Sequence, residues 1–478
     1  MTSTINGERS ANLELKTKFE TPLTFDDFHR RNRDGAYCGV NDYAFLLYFS
    51  NDRPMFFYGG VPYLYSENGV YKPDESGARL KSEIRDLIHD TLVKAPTIRR
   101  IYDLIASAAE LQLSESEINA YPPEWICFKN GMYDTKSNIL IPHSPSFKCT
   151  NQIDFSFNPY AKTQAGAFDE WLDFAVPNDA DKTTVMQFFG LTLTRDTRFQ
   201  KFLILNGCGG TGKSTLIRLI ESVVGDENTA HISLTELSER FATYGLKDKL
   251  LNTCADLETS ALNETAVIKK LVGEDTIRAE KKGNDAFSFH NTARLIFSTN
   301  ELPLVKGERS DGFYRRLLVV NMNKKPKTVN PDLFGELFEC KERIIWLAVQ
   351  AVRRLYVDGR FCGNENSDLA VQRLRCDSDT VEAFIYDACE ETQNTRTERQ
   401  ELFNAYQHYC WENERTPLTK NNFFKSLRLK GISEVVSHGC RYFKIGCTFL
   451  KKSAPKMHPN EQKCTPSDVE TLSDELKI

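Results

Sequence analysis

Apolar positions along the chain change period several times, and each change marks an element. Ile84, Leu87, Ile88 and Leu92 recur at helical spacing within Leu80 to Leu92, and Ile101, Leu104 and Ile105 begin a second helix. Pro122-Pro123 then breaks the pattern, and Trp125 to Ile141 reads as a strand, an Asn130-Gly131 turn and a second strand. Asn41 to Tyr65 is aromatic-rich, with Gly59-Gly60 and Pro62 as turn punctuation, and predicts a small sheet or hairpin.

After Pro177 the character changes. Lys182 to Leu193 and Leu216 to Val224 are apolar at helical spacing. Phe202 to Leu205, Leu250 to Ala255, Arg294 to Ser298 and Leu317 to Val320 are short apolar runs separated by turn signals. Short strands alternating with helices predict an α/β domain with a mostly parallel sheet, roughly residues 165–330. Phe334 to Leu355 predicts one long amphipathic helix, and Gly363 to Ser367 an exposed loop or linker. Residues 379–450 read as a separate small domain of helices followed by a hairpin, and the polar, proline-containing tail 453–478 is expected to be disordered. Residues 1–60 carry no motif and remain unassigned.

The strongest chemical signal follows the first of those strands. Gly207-Cys208-Gly209-Gly210-Thr211-Gly212-Lys213-Ser214, continuing into Thr215, matches G-x-x-x-x-G-K-[ST] between an apolar strand and a helix. Glycines let backbone N–H groups turn inward onto phosphate oxygens, and the following helix adds its partial positive charge. Lys213 is expected to reach the β- and γ-phosphates of a nucleotide, and Ser214 to ligate Mg²⁺.

Downstream residues narrow the chemistry. Leu250 to Glu258 is an apolar strand ending in two acids, Asp256 and Glu258, whose i, i+2 spacing lets both face one side of an extended segment. Asp256 is the expected Mg²⁺ partner and Glu258 the general base. Asn300, the polar end of the strand Arg294 to Asn300, is placed to position a lytic water or sense a γ-phosphate. Arg315-Arg316 precede the run Leu317 to Val320, where an arginine can act as a finger on a neighbouring subunit. Thr276 to Glu280 and Ala286 to His290 alternate like strands around a turn containing Lys281-Lys282, a pair suited to phosphates of a nucleic-acid strand.

Composition adds less than the motifs. The formal net charge of -5 taken alone points away from nucleic acid, but the total hides a partition. Asp379 to Arg415 carries nine acids and three bases, whereas Thr416 to Lys452 carries eight bases and one acid. The basic part holds a helix pattern with Lys425 and Arg428, then a hairpin pattern with Arg441 and Lys444, the layout of a winged-helix DNA reader. The 13 cysteines are scattered without a CxxC pair, which fits a reducing, cytoplasmic setting better than a disulfide framework. Met1 to Lys16 lacks an apolar core for a signal peptide, and no apolar run approaches the ~18 residues of a membrane span.

The order of motifs resembles the helicase half of phage and plasmid primase–helicases of superfamily three, with their poxvirus-type relatives. The resemblance rests on Gly209 to Thr215, Asp256 to Glu258, Ile268-Lys269-Lys270-Leu271 to Asp275, Lys281-Lys282, Ser298-Thr299-Asn300 with Pro303, and Arg315-Arg316, and covers roughly residues 60–450. It extends upstream through Phe128 to Asp134, Pro142-His143 and Gln187 to Thr194. It implies an α/β, P-loop, AAA+-like motor at 166–360. A helical and small-sheet domain at 61–165 precedes it, and a winged-helix domain at 379–452 follows. It further implies ATP hydrolysis at the interfaces of a homo-hexameric ring, with single-stranded and origin DNA as partners. Lys282 becomes the better hairpin match and Arg316 the better finger. The short stretch before the shared region leads us to expect no primer synthesis. Two other readings stay open: an initiator that uses ATP only as a switch, and an interaction protein that captures host replication factors.

Overall fold

The computed structural model describes residues 23–255, 257, 265–280, 287–305, 308, 311–390 and 395–447. The chain divides into two compact units, one ending at Ser378 and the other starting at Asp379.

The first unit begins with a hairpin, β1 (His29–Arg31) and β2 (Tyr37–Val40), and a helix, α1 (Asp42–Asp52). A three-stranded antiparallel sheet follows, β3 (Met55–Tyr58), β4 (Val61–Tyr65) and β5 (Tyr71–Pro73). The expectation of sheet across 41–65 therefore holds only for its second half. Ala44, Phe45, Leu46, Leu47 and Phe49 of α1 are all buried, and so continuous an apolar run has no period to separate helix from strand. Asn41 settles its start, its side chain accepting from the Ala44 N–H at 3.4 Å. Helices α2 (Ala78–Leu87) and α3 (Ala95–Ser107) pack Leu80, Ile84, Ile101 and Ile105 into one core with α1. A second antiparallel sheet comprises β6 (Ile126–Phe128), β7 (Gly131–Asp134) and β8 (Ile139–Ile141).

Two helices, α4 (Ala167–Ala175) and α5 (Asp179–Thr192), lead into the central sheet. Its strands are β9 (Phe202–Asn206), β10 (Thr229–Ala230), β11 (Leu251–Cys254), β14 (Arg294–Thr299) and β15 (Leu317–Asn321). The spatial order is β10-β11-β14-β9-β15, and every pair is parallel. Helix α6 (Lys213–Val224) is the crossover after β9, and α7 (Thr265–Val272) follows β11. The hairpin β12 (Thr276–Ala279) and β13 (Phe287–His290) is antiparallel, with Ile277 opposite Phe289 and both side chains buried. A short helix, α8 (Asp311–Tyr314), precedes β15. All six residues of β14 are buried, as expected of a strand covered on both faces.

Beyond the sheet, the single helix expected at 334–355 is two, α9 (Leu333–Phe338) and α10 (Lys341–Asp358). They serve different neighbours: α9 lies against α4 and α6, whereas α10 runs along α5. The α5–α10 contact is close because Gly190 has no side chain; a Cβ there would stand 2.3 Å from the Ala348 carbonyl oxygen and 2.6 Å from Val352 Cβ.

The loop expected at Gly363–Ser367 is instead a buried docking point at the start of α11 (Glu365–Ser378). Asn364 Nδ2 donates to Asp181 Oδ1 at 2.8 Å and to Thr184 Oγ1 at 3.0 Å. Ser367 Oγ accepts from the Val319 N–H at 2.9 Å, supplying an edge strand with the bond its sheet does not provide. Polar residues that read as a linker are here partners for buried polar groups.

The second unit has helices α12 (Thr380–Ala388), α13 (Arg399–Glu412) and α14 (Lys420–Leu429). Its strands are β16 (Cys389–Glu390), β17 (Thr397–Glu398), β18 (Glu434–Ser437), β19 (Cys440–Phe443) and β20 (Gly446–Cys447). β18 and β19 form the hairpin after α14, β17 pairs with the other edge of β19, and Phe384, Tyr406, Phe423 and Phe424 fill the core. The tail 453–478 lies outside the described residues. Among those described, no helix is long and apolar enough to cross a membrane.

Gly190→Ala is expected to destabilise the first unit by ~1–3 kcal/mol, since backbone and Cβ both oppose the added methyl. A lowered thermal midpoint checks this, and an unchanged one contradicts the close-contact argument.

Candidate nucleotide site

The parallel sheet turns polar along one edge. Asn206 ends β9 in register with Thr299 on β14 and Asn321 on β15, and Asn206 Nδ2 donates to Asn321 Oδ1 at 2.8 Å. This is the carboxyl end of the strands, where open α/β sheets bind ligands. The glycine-rich loop leaves β9 here and is anchored to both neighbours. Gly207 N donates to Thr299 O at 3.2 Å, and Met322 N donates to Asn206 O at 2.7 Å.

Gly207 has φ 152°, and a Cβ would lie 2.0 Å from the Met322 carbonyl oxygen, so only glycine fits. The loop's own polar groups draw it tight. Thr211, buried, donates from Oγ1 to Cys208 O at 3.0 Å. Lys213 is also buried, and its ammonium donates to the carbonyls of Gly207 and Cys208 and to Asn300 Oδ1, the last two at 3.0 and 3.1 Å. Cys208, Gly209, Gly210 and Ser214 are exposed, while Thr215 is half-buried at the start of α6. An ammonium held on carbonyl oxygens beneath an exposed glycine loop at a helix N-terminus fits an anion with several oxygens.

The tertiary structure brings Lys213 and Asn300 together across 87 residues of sequence. Asp256 and Glu258 lie outside the described residues. Leu257 between them is described: its N–H donates to Ser298 O at 2.7 Å, and Thr299 Oγ1 stands 3.3 Å from its carbonyl oxygen. Leu257 is thus tied to β14 immediately before Asn300.

Arg316 sits at the opposite end of the same sheet. Its carbonyl accepts from Phe202 N at the start of β9, five residues before the loop or roughly 16 Å along a strand. Its guanidinium donates to Gly312 O at 2.6 Å and Gln200 Oε1 at 3.0 Å, and burial together with neighbouring Arg315 lowers its pKa. Arg315 is exposed. Neither arginine meets Lys213 within one chain, so a finger role requires a second copy.

Lys281 and Lys282 fall between β12 and β13 in sequence and lie outside the described residues. The far end of β13, opposite Thr276, is held by Glu115, which accepts from the His290 N–H at 2.6 Å. In the second unit, Lys425 and Lys444 are exposed. Arg428 is exposed and donates from Nη2 and Nε to Glu434 Oε2 at 2.7 and 3.1 Å. Arg441, also exposed, approaches Glu434 Oε1 at 3.9 Å.

One residue beside the loop escaped sequence reading. Trp171 of α4 lies against the loop, its Cζ2 3.1 Å from where a Gly212 Cβ would stand. No spacing signal links it to a motif 36 positions further on.

Residues 205–316 match a family of unknown function (DUF5906), and residues 45–177 match a family described as D5 N terminal like. A putative helicase, L207/L206, of Acanthamoeba polyphaga mimivirus is 26% identical over 205 residues, covering 41% of this chain and 21% of that protein. The uncharacterized mitochondrial protein ymf21 of Marchantia polymorpha is 27% identical over 125 residues, 24% of this chain and 69% of that one. The chain therefore spans about a fifth of the mimivirus relative's length. Among solved structures, the apo A form of the NrS-1 C-terminal region (305–718) superposes with a TM-score of 0.50 at 14% identity. The match covers 85% of this chain and 99% of that one, and at this identity it speaks to fold alone.

Gly207→Ala is expected to abolish any thermal stabilisation that millimolar triphosphate or ATP gives the wild type, because the added methyl displaces the loop from Met322. Retained stabilisation in the variant argues against this loop as the anion site.

Proposed function

We propose that this chain, a member of the phage primase–helicase family, is an ATP- and Mg²⁺-dependent DNA helicase serving replication of a phage, plasmid or mobile element. The observation that carries the reading is the convergence of Lys213 and Asn300 at the exposed glycine loop on the polar edge of an all-parallel sheet.

In this reading the triphosphate lies along Gly207–Thr215. Lys213 exchanges the carbonyls of Gly207 and Cys208 for β- and γ-phosphate oxygens, while Asn300 keeps its ammonium aimed at the site. Ser214 and Asp256 are the residues that would hold Mg²⁺, which when bound supplies positive charge against the phosphates. Glu258 takes a proton from the water that attacks the γ-phosphorus, and Asn300 orients that water. The bond from γ-phosphorus to the β,γ-bridging oxygen breaks, and ADP leaves with phosphate.

Arg316 stands at the far end of the sheet from its own loop, so it reaches a γ-phosphate only in an assembly where that end faces the next chain's loop. A homo-hexameric ring satisfies this. Arg316 then gives up Gly312 O and Gln200 Oε1, and exposed Arg315 is the alternative donor at the same edge. The β12–β13 hairpin contacts single-stranded DNA through Lys281 and Lys282. The basic helix and hairpin of the second unit, with Lys425, Arg428, Arg441 and Lys444, act as a winged-helix reader of origin DNA. That discrete basic unit also favours a second reading, an initiator that marks an origin without processive unwinding.

Strand displacement on forked DNA with ATP tests the proposal. Wild type is expected to unwind. Lys213→Ala and Glu258→Gln are expected to lose at least ~100-fold in ATP turnover and all displacement. Lys282→Ala is expected to stop displacement while leaving duplex binding intact. A strict monomer whose ATP turnover ignores single-stranded DNA excludes the helicase reading, and tight duplex binding without displacement selects the initiator.

Arg316→Ala protein doped into wild type is expected to reduce turnover more than in proportion to its fraction, because each variant chain disables a neighbour's site. A strictly proportional loss removes the finger from Arg316, and the same titration with Arg315→Ala then decides between them.

A further inference from the structure

The second unit places three guanidinium groups around one carboxylate. Glu434, at the start of β18, has a side chain only 16% exposed. Arg428 from α14 donates to its Oε2 at 2.7 and 3.1 Å. Arg399, the first residue of α13, brings Nη1 to 3.6 Å from Oε1, and Arg441 of β19 brings Nη1 to 3.9 Å from the same oxygen. Burial of the Glu434 carboxyl opposes ionisation, but the Arg428 bond and the charges of Arg428, Arg399 and Arg441 outweigh it and hold the pKa below the ordinary glutamate value.

The stoichiometry is unlike that of an ion pair kept for stability. Lys430 in the same unit is one cation held by two acids, Asp379 and Glu382, at 2.9 and 2.5 Å. Around Glu434 the ratio among the described residues reverses, three cations to one anion, which leaves two positive charges uncompensated by that carboxylate. Like charges held this close repel unless a further anion joins them. The hydrogen bonding is also incomplete among the described residues: Glu434 Oε1 and Arg399 Nε are buried and accept or donate none. Arg399 is fixed by stacking, its guanidinium 4.2 Å from the Phe424 ring, while the Arg428 and Arg441 side chains are 49% and 58% exposed.

We propose that Arg399, Arg428 and Arg441 form one site for the phosphodiester groups of DNA, with Glu434 as the carboxylate that positions them. The inference rests on the DNA-binding reading above and adds to it both Arg399 and the role of Glu434. Guanidinium forks match phosphate oxygens two at a time, and a fork already held in place loses less side-chain freedom when a phosphate arrives. Glu434 is a positioning residue, and the three arginines are the contacting ones.

The full chain is titrated against fluorescein-labelled duplex and single-stranded oligonucleotides by anisotropy across a KCl series, with thermal melts of every variant. Arg428→Gln and Arg441→Gln are each expected to weaken binding about three- to ten-fold. Each should also lower the slope of log K against log[KCl] by ~0.9, the mark of one lost phosphate contact that a general loss of folding does not mimic. Arg399→Lys, which keeps the charge and loses the fork, is expected to weaken binding with a nearly unchanged slope. Glu434→Gln makes the chain less negative yet is expected to bind about three-fold more weakly, because the forks are no longer held.

Tighter binding by Glu434→Gln overturns the positioning role, since the carboxylate is then only masking charge. Wild-type affinity and slope in both Arg428→Gln and Arg441→Gln overturn the site while leaving DNA binding elsewhere intact. A wild-type chain that binds neither oligonucleotide at low salt overturns the DNA reading itself. If Glu434→Gln melts early, the slopes of Arg428→Gln and Arg441→Gln decide.

Discussion

The central constraint in this molecule is the burial of β9 between β14 and β15 in parallel register. Phe202 to Leu205 are apolar and wholly enclosed, and the strand turns polar only at Asn206, level with Thr299 and Asn321. That register sets where the chain must turn, and the turn is tight enough at Gly207 to exclude any side chain. It also brings Asn300 to the Lys213 ammonium. A shift of one residue in either pairing would move the polar edge, since side chains alternate faces along a strand. The shape of the glycine loop and its contact with Asn300 is therefore a consequence of how three apolar strands align.

The same sheet separates the chemistry into two ends. Lys213 and Asn300 lie at the carboxyl end, where Leu257 is also tied to β14. Arg316 lies at the amino end, roughly 16 Å away along β9. Parallel strands give such a sheet distinct ends, and an arginine at one cannot serve a phosphate at the other within one subunit. A reading that uses both groups on one phosphate is a reading about an assembly.

Much of this layout was legible in the sequence because the determining signals are local. Alternating short apolar runs and helical periods identified four of the five strands of the sheet and the helix after β9, and the glycine spacing identified the loop; the two-residue β10 is too short to leave a period. The failures also have local causes. Tyr43 to Phe49 is apolar at every position and has no period to betray its helix. Phe334 to Leu355 keeps a helical period across a break that arises because α9 and α10 face different neighbours. Gly363 to Ser367 has linker composition, but Asn364 and Ser367 satisfy polar groups on α5 and β15 that lie far away in sequence.

Charge shows the same division. The surplus of bases between Thr416 and Lys452 can be counted without a structure, and it marks a basic surface inside a chain of net charge -5. Arg399 belongs by sequence to the acidic stretch before it, and only the packing of α13 on Phe424 carries it to Glu434 beside Arg428 and Arg441. The sequence by itself determined four of the central strands, the glycine loop that follows the first of them and the segregation of charge, because each is written in neighbouring residues. The tertiary structure alone decided that Asn300 meets Lys213, that Arg316 faces away from its own loop, and that three arginines share one carboxylate. Those contacts join residues tens of positions apart, and strand register and helix packing, rather than local propensity, bring them together.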